Sequence, residues 1–372
     1  MNIFYFHWPF GLRQCCRFFS APYMSERKGD PRLYTQVITT ELRRYIEKES
    51  ICHLEAVYMS GVQANDDADR YLLDIAGILD IQYQRETTPE VTVEVHPACI
   101  TEDYMQRWKD YGVNRVNIGI HTVADMGLAK KRVRQMVQDR YYAVDLVTQM
   151  YENTALELTV GLPGVTDAEW LEYMQKLLKY PVKHITFSWF DASCSERRQN
   201  RAEKLRQKTH ALLLHHGFEQ YARSSYARAG YQSRYMTALW KGQAYKGFGL
   251  GACSYNGTTL QVNIKNFSSY KKAVDGGFDP HNTRRAHDHA EEQLLRIRAG
   301  LELVDGVAYA DVIVCFNEQQ QRRVMEVLQL LQKQRLLTHD KERVRLTFKG
   351  MLVKDAIMRF LKNIKCDSIQ SV

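Results

Sequence analysis

The chain has 372 residues, 45% of them apolar and 25% charged, which is enough for two or three domains with a substantial core and excludes a disordered or fibrous chain. The net charge of +8 admits an acidic ligand, but the basic residues are scattered, and the densest run, Arg197, Arg198, Arg201, Lys204, Arg206 and Lys208, reads as a solvated helix face. The eight cysteines are not spaced as a disulfide scaffold, which points to a reducing, cytoplasmic setting, and no stretch approaches the roughly 18 apolar residues of a membrane span.

Residues 3–7 read as a first strand. The apolar start has no basic leader and is interrupted by Pro9 and Arg13, so it suits a strand entering a loop rather than a signal peptide. Helical spacing covers 35–48, and a short apolar run at 54–59 ends on Ser60-Gly61. A helix over 66–79 and an alternating strand at 91–95 follow. Thr101 is placed to N-cap a helix over 102–111 that stops at Gly112. Strands at 116–120, 156–160 and 185–190 then alternate with helices at 141–151 and 167–179. Six β/α units predict an α/β fold, a parallel sheet curled into an incomplete (β/α)6 barrel over residues 1–200. Ligands of such barrels sit at the C-terminal strand ends, here residues 7–11, 60–62, 94–96, His121, 157–161 and Phe190-Asp191.

From residue 201 to 280 the pattern changes to a charged helix and a Gly- and aromatic-rich elaboration, closed by Gly276-Gly277 and Asp279-Pro280. From 281 to 372 helices are predicted at 289–303, 309–315 and 319–334. Arg335-Leu336-Leu337 with 344–347 reads as a short wing, and a last helix follows Gly350. Three helices and a wing predict a winged-helix-like C-terminal domain. The third helix region carries Arg322, Arg323, Lys333 and Arg335, which is modest charge for phosphate neutralisation, so nucleic acid is not the expected partner.

Residues 7–20 read His-Trp-Pro-Phe-Gly-Leu-Arg-Gln-Cys-Cys-Arg-Phe-Phe-Ser. This resembles the cluster loop of radical-SAM proteins, whose pattern after His-x-Pro-Phe is Cys-x3-Cys-x2-Cys-Asp-Phe. Other matching segments are Tyr5-Phe6-His7-Trp8-Pro9-Phe10, Glu94-Val95-His96-Pro97, residues 112–120 and 160–166, the stretch 221–255, and Leu346-Thr347-Phe348-Lys349-Gly350. Their order and spacing, from about residue 3 to residue 361, resemble the coproporphyrinogen III oxidase-like radical-SAM proteins and, within them, the HemW-type haem chaperones.

The resemblance implies a [4Fe–4S] cluster, S-adenosylmethionine (SAM) and haem as cofactors, and the departures bear on each. A cluster that activates SAM needs three thiolates and one open iron. Gly11 stands at the first cysteine position and Cys15 at the second, while the third falls on Phe18, or on Cys16 after a two-residue deletion. Cys15 and Cys16 either hold a metal, jointly with Cys99 or Cys253, or are relict thiols. Ser60-Gly61-Val62-Gln63-Ala64 replaces the Gly-Gly-Gly-Thr-Pro that grips the SAM amino group, and Val62 adds a side chain expected to impair that corner. By the resemblance, Tyr5, Gly61, Glu94, His121 (the family's Gln) and Glu157 (its Asp) are cofactor-binding candidates. The haem-associated His-Asn-x-x-Tyr-Trp stands as Tyr235-Met236-Thr237-Ala238-Leu239-Trp240. Trp240 is kept, Tyr235 takes the histidine's place as a type of axial haem ligand, and Cys253 replaces the histidine of Gly-Pro-Gly-Ala-His-Ser-Tyr.

The expected function is that of a HemW-like protein handling haem or a related tetrapyrrole without radical chemistry, and no catalytic residue is assigned. A second expectation is an oxygen-independent coproporphyrinogen III dehydrogenase-like radical-SAM enzyme. A third is a scaffold for a protein acceptor or electron carrier such as bacterioferritin. Against these stand plainer roles: Glu94 and Glu157 satisfying partners in an empty barrel mouth, and Trp240, Tyr245 and Phe248 packing the Gly-rich segment. The pairs His215-His216 and His287/His289 resemble metal spacings but read as ordinary histidines.

Overall fold

In the computed structural model, residues 2–10, 29–51, 53–83, 88–120, 130–160, 165–189, 196–285 and 289–366 are described. Strands β1 (Ile3–His7), β2 (Ala56–Val62), β3 (Glu90–Val95), β4 (Arg115–Ile120), β5 (Asn153–Val160) and β6 (His184–Trp189) alternate with helices α1 (Pro31–Glu49), α2 (Asp66–Tyr83), α3 (Glu102–Asp110), α4 (Lys130–Met150) and α5 (Asp167–Leu177). Each of the six strands pairs parallel with the next, as the six β/α units require. Thr101 caps α3 by accepting from the Tyr104 amide at 3.4 Å, and Thr166 and Glu169 close a reciprocal capping box on α5.

Strands buried on both faces in a parallel sheet usually read as near-continuous apolar runs. Here they alternate. Phe4, Phe6, Trp8, Val57, Met59, Val91, Val93, Val116, Ile118, Leu156 and Leu158 turn outward and join one core with Tyr34 and Ile38 of α1, Trp108 of α3 and Trp170 of α5. The other face carries Tyr5, Tyr58, Ser60, Glu90, Thr92, Glu94, Arg115, Asn117, Glu157 and Thr159. A barrel with a polar interior is the consequence.

Helix α6 (Glu196–His215) leads into the antiparallel pair β7 (Glu219–Ala222) and β8 (Ser225–Ala227), then α7 (Arg234–Trp240) and β9 (Lys246–Phe248). The nine-stranded sheet runs β7-β8-β6-β5-β4-β3-β2-β1-β9, and β9 adds parallel to β1. Glycines make that addition feasible: a Cβ on Gly247 would fall 2.2 Å from the Cys253 carbonyl, and one on Gly249 would fall 2.4 Å from Tyr34 Oη. Of the basic run on α6, Arg201 pairs with Asp167 of α5 at 2.8 Å.

A small antiparallel sheet follows, of β10 (Cys253–Tyr255), β11 (Leu260–Asn263) and β12 (His281–Arg285), with α8 (Phe267–Asp275) between its last two strands. The remaining described residues form α9 (His289–Gly300), β13 (Val307–Ala308), α10 (Tyr309–Ile313), α11 (Glu318–Lys333), β14 (Leu337–His339), β15 (Arg343–Leu346), α12 (Phe348–Leu352) and α13 (Lys354–Cys366). These five helices and the three-stranded wing, in the order β13-β15-β14, share a second core around Ile297, Val312, Val324, Leu328, Leu346, Met351 and Leu361. No described helix is long and apolar enough to cross a membrane.

Candidate functional site

The inner face of β1 to β6 holds polar side chains bonded in two groups. Tyr5 Oη lies 2.6 Å from Ser60 Oγ. Tyr58 donates to Glu94 Oε2 at 3.0 Å, and Asn117 Nδ2 donates to Tyr58 Oη at 3.1 Å. Ser188 donates to Glu157 Oε1 at 3.0 Å, and Asn117 also bonds Glu157. Burial, with the neighbouring Glu157 charge, pushes the Glu94 carboxyl up to about 8 against the Tyr58 hydrogen bond. Burial also raises Glu157, opposed by Ser188 and Asn117. Both carboxyl groups are thus shifted toward their protonated forms relative to carboxyls in water.

Helix α7 closes one side of this interior. Ser233 caps it, and the Glu90 carboxylate accepts from Ser233 Oγ at 3.2 Å and from the backbone amides of Arg234 and Tyr235 at 3.1 and 3.3 Å. Arg115 balances Glu90 at 3.9 Å, with both side chains almost fully buried. This latch sets the Tyr235 ring against both Tyr58 and Tyr5, at centroid distances of 4.7 and 6.0 Å. Tyr235 is 6% exposed, and burial holds its phenol well above the ordinary range. Cys253, half-buried, adds to the field felt by Tyr5, Tyr235 and Tyr245, and burial raises its own thiol.

The structure therefore gathers Tyr5, Glu94, Glu157, Tyr235 and Cys253 around one interior, together with Tyr58, Ser60, Asn117 and Ser188, of which sequence reasoning had singled out only Ser60, as part of a strand end. Their signal was present in the period-2 polar positions of strands whose other face is wholly apolar. Trp240 is not among them. It stands at the far end of α7, 5.9 Å from the Tyr221 ring, and lines a separate cleft of about 210 Å³ with Lys241, Arg296, Val307, Val314 and Arg343. Gly61 has φ +74°, and a Cβ there would lie 2.5 Å from the Trp8 carbonyl, so glycine is required by the close approach of β2 to β1. The side chain of Val62, 1% exposed, is turned into the main core. It does not fill the ligand corner as the sequence suggested, because the bulge between Met59 and Val62 rotates it outward. Gly11, Cys15, Cys16, His121, Phe190, Asp191 and His287 lie outside the described residues. His215 and His216 meet edge to face at 5.4 Å.

Comparison with known proteins agrees with this architecture. Residues 13–177 match the radical SAM superfamily model and residues 286–353 the HemN C-terminal domain. The heme chaperone HemW of Bacillus subtilis is 23% identical, over 96% of this chain and 98% of its own. The heme chaperone HemW of Lactococcus lactis is 25% identical, over 94% of each chain. Bovine radical S-adenosyl methionine domain-containing protein 1, mitochondrial, is 23% identical over 95% of this chain and 86% of its own. Among solved structures, coproporphyrinogen III oxidase (HemN) from Escherichia coli superposes with a TM-score of 0.74 at 16% identity, covering 97% of this chain and 90% of that one. The chain is thus a radical-SAM-fold protein with a HemN-type C-terminal domain. Along nearly its whole length it is similar to proteins of the HemW type.

The superfamily model that residues 13–177 match implies a cluster and SAM, and the donors can be tested against them. Residues 11–28 contain two adjacent cysteines and no third. Among the described residues no three His, Cys, Asp or Glu converge as a metal-ligating group, and the described free thiols Cys99, Cys253 and Cys315 are scattered over the half-buried and buried interior. The loop itself therefore supplies two of the three thiolates such a cluster needs, and Cys52 and Cys194 lie outside the described residues.

Proposed function

We propose that this chain carries haem or a related tetrapyrrole and does so without a cluster or reductive cleavage of SAM. The observation that carries the reading is the match over 94–96% of its length to proteins named heme chaperones, in a chain whose cluster loop has glycine where the first thiolate belongs.

Of the candidate haem residues, Trp240 supports the reading better than Tyr235. A tyrosinate ligand must lose its proton, and burial opposes that at Tyr235. The Trp240 ring, half-buried beside the exposed cations Lys241 and Arg296, suits the flat face and carboxylates of a macrocycle edge. Cargo delivery then calls for a protein acceptor, in the same reducing compartment.

A haemin titration followed in the Soret region tests this. Saturable one-to-one binding is expected, weakened about tenfold by Trp240→Ala, about 1.4 kcal/mol, with the band position unchanged in Tyr235→Phe. Absence of saturable binding sinks the carrier reading. Anaerobic iron–sulfur reconstitution is expected to yield no 5′-deoxyadenosine; formation of that product would refute the loss of radical chemistry.

A further inference from the structure

We propose that the groove between α11 and α13, on the surface of the second core, is a docking site for an acidic amphipathic helix of a partner protein. The groove shares no lining residue with the Trp240 cleft, and the proposal does not rest on the tetrapyrrole reading.

The two helices pack antiparallel. Gly350, just ahead of α13, lies so close to Leu336, just past α11, that a Cβ would overlap its carbonyl. At the other end Gln320, near the start of α11, donates to the Ile364 carbonyl of α13 at 3.2 Å. Helical periodicity then sets the faces. α11 turns Val324, Leu328 and Leu331 into the core. Its flank toward α10 carries Met325, which meets Tyr309, and Gln321, which donates to the Ile313 and Phe316 carbonyls. Val327 and Leu330 lie on the opposite flank. α13 buries Ile357, Leu361 and Ile364, and its flank toward α9 carries Asp355, paired with Arg298 at 2.8 Å. Val353, whose carbonyl accepts the first bonds of α13, and Phe360, two turns later, lie on the flank away from α9. The order α9-α13-α11-α10 brings the two apolar flanks face to face.

These side chains are not covered. Leu330 is 54% exposed, Val353 40% and Phe360 60%. A single exposed apolar side chain needs no explanation, but three in one groove mark an interaction surface. The charge around them has one sign. Residues 318–366 hold twelve Lys and Arg against five Asp and Glu, in a chain whose whole net charge is +8. Arg359 adjoins Phe360, and Arg323 stands one turn before Val327. Lys333 lies one turn past Leu330, and Lys349 one turn before Val353. All four cations are exposed. Of the acids on the two helices, Asp355 is already taken by Arg298.

An apolar floor between basic rims complements a helix with an apolar stripe and acidic flanks. Both walls of the groove are helices, so an extended peptide finds no strand edge there to add to. Val353 and Phe360 stand about 10 Å apart along the axis, the rise between positions i and i+7 of a docked helix. Nucleic acid would use the cations and leave the apolar floor unmatched.

Fluorescence anisotropy of the full chain with a labelled peptide tests this, the peptide being a glutamate-rich helix with leucine at i, i+4, i+7 and i+11. Saturable binding is expected, weakened about tenfold or more by Phe360→Asp and also weakened by added NaCl. Phe278→Asp, at a more exposed phenylalanine just past α8, is expected to leave it unchanged. Both substitutions replace exposed side chains, and circular dichroism checks that each variant keeps its helices. No saturable binding overturns the proposal, as does equal binding of a peptide of the same composition with its leucines spread around the helix. Tighter binding of duplex DNA, unaffected by Phe360→Asp, would make the surface a phosphate contact instead. Phe360-dependent binding of phosphatidylcholine–phosphatidylglycerol vesicles in preference to the peptide would make it a membrane contact, and either result overturns the protein-helix reading.

Discussion

Gly249 shows how one residue can hold two distant parts of the chain together. Its φ is +102°, and a Cβ would press on Tyr34 Oη and on the His7 carbonyl. Tyr34 meanwhile donates to that carbonyl at 2.7 Å and accepts from the Leu250 amide at 3.3 Å, which pins the end of β1 to the Gly-rich segment. Gly249→Ala therefore combines backbone strain with a collision against backbone and is expected to cost about 3 kcal/mol or more in urea unfolding. Gly257 has a similar φ of +99° but open space around it, so Gly257→Ala is expected to cost only about 1–2 kcal/mol. Equal losses at both positions would show that strain alone, and not the contact with Tyr34, sets the requirement. Glu94 gives a pH signature at the same scale. Its carboxyl is raised from 4.5 to about 8 in the folded chain, so the native state binds more protons than the unfolded one across that window. Native stability is greatest below pH 4.5, as far as this group is concerned, and falls as pH rises toward 8. Glu94→Gln should flatten that decline by at least about 1 kcal/mol between pH 5 and 8, measured by denaturant unfolding.

At the scale of elements, α7 is the piece that joins the barrel interior to the Trp240 cleft. One end inserts Tyr235 into the barrel, the other presents Trp240 to the cleft, and Glu90 with Arg115 fixes the helix between them. Glu90→Gln leaves Arg115 buried without its partner and removes the anion at the α7 N-terminus, a loss expected to reach about 3–5 kcal/mol. Glu90→Gln combined with Arg115→Met should recover part of it, because the orphaned charge is gone; a double variant no more stable than the single one would mean that capping, not charge pairing, carries the effect. None of this latch was legible in the sequence. The strands were: residues 3–7 and the helix after Thr101 follow from local periodicity and capping, and the structure keeps them. What local pattern cannot reveal is that Glu90 at the start of β3 reaches the first turn of a helix in the elaboration, or that Lys246–Phe248 pairs with Phe4–Phe6. Both are contacts between residues more than 140 positions apart. The strand end at Gly61 and Val62 carried less than the structure shows. The close approach of the Trp8 carbonyl adds a packing reason for glycine at 61, and the bulge that turns Val62 into the core has no period to betray it.

For the molecule as a whole, the question is how the second core communicates with the barrel. Besides apolar contacts such as His210 on Phe348, a set of polar contacts gathers around Glu302. Arg223, following β7, donates its amide to the Glu302 carbonyl at 2.7 Å and its guanidinium to the carboxylate at 3.0 Å. Lys354, 1% exposed at the start of α13, pairs with the same carboxylate and donates to the Arg298 carbonyl at 3.1 Å. Glu302 is therefore shared by one cation from the barrel side and one from the C-terminal core. The two halves of this bridge are not equivalent. Lys354→Met removes a buried cation while Glu302 keeps Arg223, so the cost is expected to stay near 1–2 kcal/mol. Glu302→Gln leaves Lys354 buried and Arg223 unpaired at once, with an expected cost of about 3–5 kcal/mol. Because Glu302 is where the two cores are tied, its loss should also separate their unfolding. Scanning calorimetry is expected to show a single transition in the wild type and in Lys354→Met, and two in Glu302→Gln, the lower one belonging to the C-terminal core with its smaller apolar cluster. A single transition in Glu302→Gln, shifted but not split, would place the coupling in the apolar contacts of the interface and not in this charge bridge.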